Sequence, residues 1–416
     1  MDKPRIWQYR FYMKDIAPQR FLDRTTAPHI ATLILLAGLS AMTMNVFLPS
    51  LPGMAEYFDV DYGIMQLSVA VYLGFSGTLQ IFVGPISDRF GRRPVLLVGI
   101  TLFLLATLGC ILATNITVFL IFRMLQAMVA VAMVLSRAVV RDMYTQDKAA
   151  SMIAYVTMGM AVVPMISPAI GGWLEQLFGW QANFILLLVF GLVVLVLTWS
   201  DLGETAQPST NTLMGQFAEY PELLRSPRFW GYCLASGFGS GAFFAYLGGA
   251  PFVGTQVFGL SPATLGLYFA APSIGYFLGN WATGAYAARL GVNRLVLIGA
   301  TLTTAGVGLS ILTSAIGFAG PASFFGWMTI VGIGNGMTIP NATAGMLSVR
   351  PHLAGTASGL GGAIMIGFGA ALSALAGILL VPGSSEFPLL WIMFITSALA
   401  VVSILMVIRR QNQLGT

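Results

Sequence analysis

Two stretches of this chain repeat each other at an offset of 200 residues: GPISDRFGRR at residues 84–93 and GAYAARLGVN at residues 284–293. Gly, Arg and Gly recur at the same spacing in both stretches, and an apolar run with Leu and Gly at equivalent places follows each of them. Phe58 and Phe258 keep the same offset outside the repeat. Repetition at a fixed distance indicates a chain built from two related halves.

The composition around these stretches is that of a membrane protein. Of the 416 residues, 57% are hydrophobic and 8% are charged, whereas about 25% of the residues of a soluble domain are charged. A helix needs about 20 apolar residues to cross a bilayer, so twelve crossings would use about 240 residues. We therefore expect an all-α membrane protein with twelve transmembrane helices in two pseudo-symmetric six-helix halves. The same composition excludes soluble enzymes, collagens, disulfide scaffolds and disordered chains.

Apolar runs and polar interruptions divide the chain into five predicted segments. These are an N-terminal basic segment at 1–29, a six-helix half at 30–200, a central linker at 201–228, a second six-helix half at 229–408 and a tail at 409–416. The first segment mixes basic with aromatic residues, which fits either an interfacial helix on anionic lipid or a loosely ordered tail.

The charged residues predict the orientation in the membrane. When both termini are placed in the cytoplasm, all 20 Lys and Arg except Arg123 fall on the cytoplasmic side, with Arg137 at the inner end of its span. Cytoplasmic loops carry an excess of Lys and Arg, so this asymmetry supports the placement. The acids predicted to lie outside are Glu56, Asp59, Asp61, Glu175 and Glu386.

Residues 84–93 lie on the predicted cytoplasmic turn between the second and third spans and combine glycine with charge. Gly84 and Gly91 permit close helix approach and a tight turn, and Asp88 can accept hydrogen bonds from a neighbouring helix start. The arginines of the stretch can bind lipid phosphates or facing carboxylates. Asp142, at the inner end of the fourth span, is their predicted partner.

This stretch resembles the cytoplasmic signature of the major facilitator superfamily, and the six-plus-six repeat is similar to that family over essentially the whole chain. The resemblance implies a gate that latches the outward-facing state and is released during transport. The gating residues implied in this way are Gly84, Asp88, Arg89, Gly91, Arg92, Arg93 and Asp142. The alternative is an anchor that does no more than satisfy the positive-inside rule.

Further stretches are similar to particular branches of that family. Arg123-Met-Leu-Gln126 resembles its intramembrane Arg-x-x-Gln motif. NVFLPSLP at 45–52 and SRAVVRD at 136–142 resemble the bicyclomycin and chloramphenicol-resistance group of drug:proton antiporters, in which the position of Asn45 is typically Asp. The fifth span has the antiporter branch's pattern of helix-bending Pro and closely packing Gly. The residues of this pattern are Gly159, Pro164, Pro168, Gly171 and Gly172.

No acid falls in a predicted membrane core, although the chain has 15 Asp and Glu. A proton antiporter usually needs a group that titrates inside its cavity, and Asn45 cannot titrate. Proton coupling is therefore implied by the resemblance alone. Arg123 is the single formal charge in the core, at about the depth of Asn45 when 1.5 Å per residue is counted along each span.

We hypothesise that the Asn45 carbonyl accepts a hydrogen bond from Arg123 and that both residues face the substrate. In the alternative, helix carbonyls neutralise Arg123 and it only ties spans together. A cavity with one cation and no acid disfavours lipophilic cations, so neutral, zwitterionic or anionic amphiphiles are the expected cargo. The predicted substrate-binding residues are Asn45, Tyr72, Arg123, Gln126, Tyr246, Tyr268 and Asn335.

The predicted function is secondary active export of small amphiphilic drugs or metabolites across the inner membrane, by alternating access and driven by a proton gradient. The sequence has no Walker motif and no nucleophile and base set for an enzyme, and Cys110 and Cys233 show no disulfide or metal spacing. We expect no cofactor, no metal and no nucleic acid, with the substrate and the lipid bilayer as partners of a monomer. A proton-independent uniporter or organic-anion exchanger is the alternative, and a non-transporting membrane sensor is a remote one.

Overall fold

The computed structural model describes residues 21–26, 28–143, 146–206, 220–350 and 353–414, and all secondary structure in these ranges is helical. The predicted N-terminal segment before residue 21 and the middle of the linker lie outside them. The helices of the first half are α1 (Ile30–Asn45) and α2 (Leu51–Tyr57) in span 1, α3 (Tyr62–Phe90) in span 2, α4 (Arg92–Leu112) in span 3, α5 (Ile116–Gln126) and α6 (Ala130–Met143) in span 4, α7 (Gln146–Phe178) in span 5 and α8 (Gln181–Asp201) in span 6.

The second half repeats this order. Its helices are α9 (Pro227–Phe252) in span 7, α10 (Pro262–Tyr268) and α11 (Ala270–Leu290) in span 8, α12 (Val292–Ala315) in span 9, α13 (Pro321–Ser348) in span 10, α14 (Ala354–Leu379) in span 11 and α15 (Phe387–Leu414) in span 12. The predicted two halves of six spans are confirmed in the described residues. The last helix continues beyond residue 408, where the predicted tail begins.

The repeated stretches form the same turn in both halves. Gly91 (φ 94°) separates α3 from α4, and Gly291 (φ 77°) separates α11 from α12. Glycine adopts such positive φ values without the steric cost that other residues meet. The repeat found in the sequence is therefore a repeat in backbone structure.

Prolines interrupt span 1 at its far end. A 3-10 turn, Leu48–Ser50, separates α1 from α2. Pro49 and Pro52 have no N–H to donate to the preceding turn, so the regular helix ends at Asn45. The Met42 carbonyl still accepts the N–H of Val46 at 2.9 Å, but the Thr43 carbonyl has no backbone donor among the described residues.

Eight helices among the described residues are long and apolar enough to cross a membrane, and they belong to spans 1–4, 6, 9, 11 and 12. Spans 7, 8 and 10 fall below that threshold, and part of span 5 lies outside the residues searched. In α9 and α13 many positions are Gly or small polar residues, and both helices bury a large share of their length against other helices. Helices that contact protein more than lipid do not need large apolar side chains.

The helix ends define two faces of the molecule. The basic face contains Arg92, Arg289 and the described C-terminal end at Leu414. The acidic face, at the opposite ends of the same spans, contains Glu56 and Asp61.

A buried aspartate fixes the start of span 1 to the end of span 6 at the basic face. The carboxylate of Asp201 (0% exposed) accepts hydrogen bonds from the backbone N–H groups of Leu22 and His29 at 2.8 and 2.9 Å and from the Thr32 hydroxyl at 2.7 Å. A charge with three donors is stabilised even where it is buried. Asp201 therefore holds the end of span 6 against the segment that begins span 1.

Candidate functional site

Hydrogen bonds from span 2 join the two halves near the acidic face. The Tyr62 hydroxyl donates to the Gly248 carbonyl of span 7 at 2.5 Å, and Gln66 Nε2 donates to the Ser373 carbonyl of span 11 at 2.5 Å. Gln66 is 0% exposed, so water does not compete for its bond. Both bonds must break before the halves can separate at this face.

Spans 5 and 8 form a second contact between the halves through the predicted Pro and Gly pattern. Pro168 has no N–H, so the Pro164 carbonyl four residues earlier has no donor in its own helix. The Ser273 hydroxyl of span 8 donates to that carbonyl at 3.2 Å. Gly172 lies against the Pro262 carbonyl, where a Cβ would overlap. The pattern thus lies at the interface between the halves.

The other glycines of the pattern have different surroundings. Gly171 packs against the Val46 carbonyl of span 1, within the first half, and its own carbonyl accepts a hydrogen bond from Asn183 at 3.2 Å. Gly159 lies in α7, but its contacts are outside the described part of the chain. Gly171 therefore packs the first half internally, whereas Gly172 faces the second.

The halves part towards the basic face. Gln80 of span 2 still lies close to span 11, since a Cβ built on Gly362 would be 3.3 Å from Gln80 Oε1. Nearer the basic face, a Cβ built on Gly84 or on Gly359 would meet none of the described atoms within 4 Å. Among the described residues, the hydrogen bonds between the halves therefore lie towards the acidic face, and at these two positions nearer the basic face none of the described atoms fills the space.

The predicted gating residues form an ion-pair cluster within the first half. Arg92 Nη1 lies 2.5 Å from Asp88 Oδ1, and Arg92 Nε donates to Asp142 Oδ2 at 3.0 Å. Asp142 is thereby confirmed as a partner of the arginines. Arg89 is exposed, with its guanidinium 5.4 Å from the Phe90 ring. In this conformation Asp88 forms its ion pair with Arg92 of the same half.

Glu204, in the linker just after span 6, also belongs to this cluster, and sequence reasoning missed it. Its carboxylate accepts hydrogen bonds from the backbone N–H groups of Arg92 and Arg93 at 2.8 and 3.3 Å. The helix α4 follows Gly91, which has no side chain to cap it, and Glu204 supplies the missing anion. Arg93 donates in turn to the Leu202 carbonyl at 2.9 Å. The sequence signal that could have identified Glu204 was the start of α4 after Gly91, which has no capping side chain, together with an acid just after span 6.

Arg123 is fully enclosed by the first half (0% exposed). Its guanidinium donates to the Thr43 carbonyl at 3.0 Å, to the Ser68 carbonyl at 3.3 Å and to the Gln126 side chain. Thr43 belongs to the last turn of α1, and its carbonyl has no backbone donor among the described residues. Carbonyl dipoles therefore take the place of a counter-ion.

The predicted hydrogen bond between Asn45 and Arg123 is wrong. Asn45 Nδ2 donates to the Ala41 carbonyl at 2.7 Å, one turn back in its own helix. The rings of Phe47 and Tyr72 lie 4.1 and 4.4 Å from the Arg123 guanidinium carbon. Residue counting gave the depth of Asn45 but not the direction of its side chain. The alternative, in which carbonyls neutralise Arg123, describes the structure.

Gln126 and Tyr72 belong to the same assembly, which we call the Arg123 brace (Arg123, Gln126, Tyr72, Phe47 and Thr107). Gln126 Nε2 donates to the Thr107 hydroxyl of span 3 at 2.9 Å. Because Arg123 also bonds spans 1 and 2, the brace joins spans 1, 2, 3 and 4. In this conformation these side chains are buried and do not line an open cavity.

The predicted substrate residues of the second half lie apart from the brace. Tyr246 (1% exposed) packs its ring 5.4 Å from that of Phe269, and Tyr268 stacks on Phe325 at 4.9 Å. Asn335 is buried, and neither of its amide atoms is paired with a described residue. The structure thus separates the predicted substrate residues into a first-half group and a second-half group and does not bring them together.

Two related six-span halves that meet at one membrane face and part at the other define a secondary transporter. A sequence profile of the Major Facilitator Superfamily matches residues 33–374, and the chain belongs to that family. The family resemblance carried by residues 84–93 is thereby confirmed.

Several bacterial relatives are named for drug resistance. The chain is 31% identical to multidrug resistance protein D of Escherichia coli over 359 residues, which cover 82% of this chain and 87% of the relative. It is 30% identical to the chloramphenicol resistance protein of Pseudomonas aeruginosa, with 86% of each chain covered. It is 25% identical to the bicyclomycin resistance protein homolog of Haemophilus influenzae, over 85% of this chain and 89% of that relative. The predicted resemblance to this group is confirmed.

Solved structures share the fold at low sequence identity. A peptide transporter in complex with sulfate matches with a TM-score of 0.78 at 13% identity over 98% of both chains. A bacterial homolog of the human lysosomal transporter Spinster, in an inward-facing and occupied conformation, matches with a TM-score of 0.69 at 15% identity. The second match covers 92% of this chain and 96% of that chain.

Gln66→Leu is expected to open the acidic face. The substitution removes a buried inter-half hydrogen bond worth about 1 kcal/mol, which shifts the balance of the two states about fivefold. Spin labels at Glu56 and Ser385, in a background with both native cysteines replaced by alanine, would report the distance across the face. Gln80→Leu is the matched control, because Gln80 Nε2 has no hydrogen-bond partner among the described residues. Equal label distances in the two variants would contradict the assignment.

Proposed function

We propose that this transporter exports small amphiphilic drugs or metabolites across the inner membrane by alternating access, with its basic face and both termini in the cytoplasm. The observation that carries the proposal is the arrangement of the halves, bonded at the acidic face and parted at the basic face. That arrangement is one of the two states that an exporter needs, the one that loads from the cytoplasm. The drug-resistance names of several relatives support the cargo class, and the arginine-rich basic face supports the orientation.

We propose proton antiport as the driving reaction, with the transporter acting as a monomer without a cofactor or an enzymatic step. Glu175, at the acidic-face end of span 5, is our candidate proton acceptor. Its carboxylate lies against Gly53 of α2, and Oε2 is buried without a hydrogen-bond partner among the described residues. A partly buried carboxylate exchanges its proton in response to changes in the packing around it.

One observation favours the alternative of a proton-independent uniporter or organic-anion exchanger. Asn45 stands where the related antiporters typically have Asp, and it bonds only to its own helix among the described residues. Without a carboxylate at that depth, the substrate cavity itself has no acid to couple cargo to protons.

Uptake by proteoliposomes separates these functions. Antiport predicts that chloramphenicol accumulates in vesicles with an acidic lumen, that the lumen becomes more alkaline during uptake, and that Glu175→Gln abolishes both effects. A uniporter or exchanger predicts saturable counterflow that is insensitive to the gradient. A non-transporting sensor predicts binding in detergent without flux. No saturable uptake or counterflow of chloramphenicol or of the anionic and cationic probes used below would overturn the export proposal.

A further inference from the structure

Arg137 is a charged residue of span 4 that lies outside the Arg123 brace. It is exposed, whereas Arg123 on the same span is fully enclosed. Helical side chains tilt towards the N-terminus of their helix, and span 4 runs from the acidic face to the basic face. The side chain of Arg137 is therefore directed back towards the membrane centre, although its backbone lies near the inner end of the span.

Tyr276 of span 8 lies near Arg137, close enough that the guanidinium charge acts on the tyrosine side chain. The backbone of Tyr276 packs tightly against Gly336 of span 10, which fixes its place in the second half. Tyr276 is one turn closer to the basic face than Ser273, whose hydrogen bond to Pro164 joins the halves. Arg137 of the first half and Tyr276 of the second half thus lie near each other, on the basic-face side of that contact.

No acid whose side chain the structure describes is paired with Arg137. Asp142, further along span 4, is engaged by Arg92 at 3.0 Å. The sequence has no Asp or Glu at residues 30–55, at residues 149–174 or within spans 8, 10 and 11. A cation without a counter-ion in a space of low dielectric constant attracts anions and repels cations.

We propose that Arg137 is a substrate-recognition residue that selects aromatic organic anions, such as carboxylates, sulfonates and phenolates, with Tyr276 as the facing aromatic surface. The inference rests on the proposed transport function. The sequence analysis attributed the preference for anionic cargo to Arg123, but Arg123 is enclosed, and we attribute it to Arg137 instead. A guanidinium suits this role because it pairs with planar anions through two parallel hydrogen bonds and stacks on rings. Neutral amphiphiles need no such partner.

The test compares three probes in proteoliposomes that contain wild-type protein or one variant. The probes are fluorescein (an aromatic anion), chloramphenicol (neutral) and tetraphenylphosphonium (a cation). Arg137→Ala is expected to lower fluorescein transport about tenfold or more while chloramphenicol transport stays within about twofold of wild type. Arg137→Lys should restore much of the fluorescein transport, and Arg137→Glu should favour tetraphenylphosphonium.

Arg409→Ala is the matched control, because Arg409 is an exposed arginine at the basic end of span 12. Fluorescein anisotropy with the detergent-purified proteins measures binding independently of flux and of folding yield. An unchanged ratio of fluorescein to chloramphenicol transport in Arg137→Ala would overturn this inference, as would a wild-type protein that transports chloramphenicol but not fluorescein. A wild-type protein that transports none of the probes would instead overturn the proposed export function.

Discussion

Gly172→Val is expected to abolish transport while leaving the protein folded. Gly172 lies against the Pro262 carbonyl of the opposite half, and a Cβ there would overlap backbone atoms that cannot rotate away. Overpacking of this kind costs about 3 kcal/mol or more, which lowers the population of the state closed at the acidic face about a hundredfold. The clash arises where the halves meet, so the packing between the spans of each half is kept.

Chloramphenicol counterflow and thermal unfolding of the purified protein would test this expectation together. Gly326→Val is the matched control, because Gly326 is a helical glycine at which a Cβ would meet none of the described atoms within 4 Å. Gly171→Val is a second comparison, because its clash lies inside the first half and should lower the unfolding temperature as well. Normal counterflow by the Gly172 variant would show that closure at this face is not required for transport.

Arg123→Ala and Arg123→Lys are both expected to lose transport and stability. The guanidinium reaches acceptors on three different spans and lies against two aromatic rings, and a lysine ammonium matches neither its planarity nor its reach. Losing one partner from a buried charged network costs about 3–5 kcal/mol. We expect the Lys variant to retain part of the stability that the brace contributes and the Ala variant to retain none of it.

Thermal unfolding in detergent and transport at matched protein levels would measure these two losses. Arg409→Ala controls for the removal of an arginine from the surface. If Arg123→Ala unfolds at the wild-type temperature, the brace is not structural. If Arg123→Ala is stable and loses transport of fluorescein alone, Arg123 contacts substrate after all.

The sequence predicted features that depend on spacing and charge. The repeat around Gly91 and Gly291 predicted two equivalent turns, and both glycines have the positive φ that such turns require. The pairing of Asp142 with the arginines was predictable because opposite charges at the same membrane depth attract. The Pro and Gly pattern of span 5 was identified by its resemblance to the antiporter branch, and Ser273 supplies the donor that Pro168 cannot give to the Pro164 carbonyl.

The sequence did not predict features that depend on the direction of a side chain. Asn45 and Arg123 were placed at similar depths, but helix rise fixes depth and not rotation about the axis. The break after α1 exposed the Thr43 carbonyl, and that acceptor competed for the guanidinium. Tyr62, Gln66 and Glu204 were missed because their partners are main-chain groups, which no residue type reveals.

The contact between Asp201 and the start of span 1 has a consequence for biogenesis. Asp201 is the last residue of span 6, and its hydrogen-bond partners Leu22, His29 and Thr32 precede or begin span 1. All of these groups have been synthesised before the ribosome reaches the second half, and chains fold N-terminal domain first. The first six helices can therefore assemble and lock as a unit while the remaining six are still being translated.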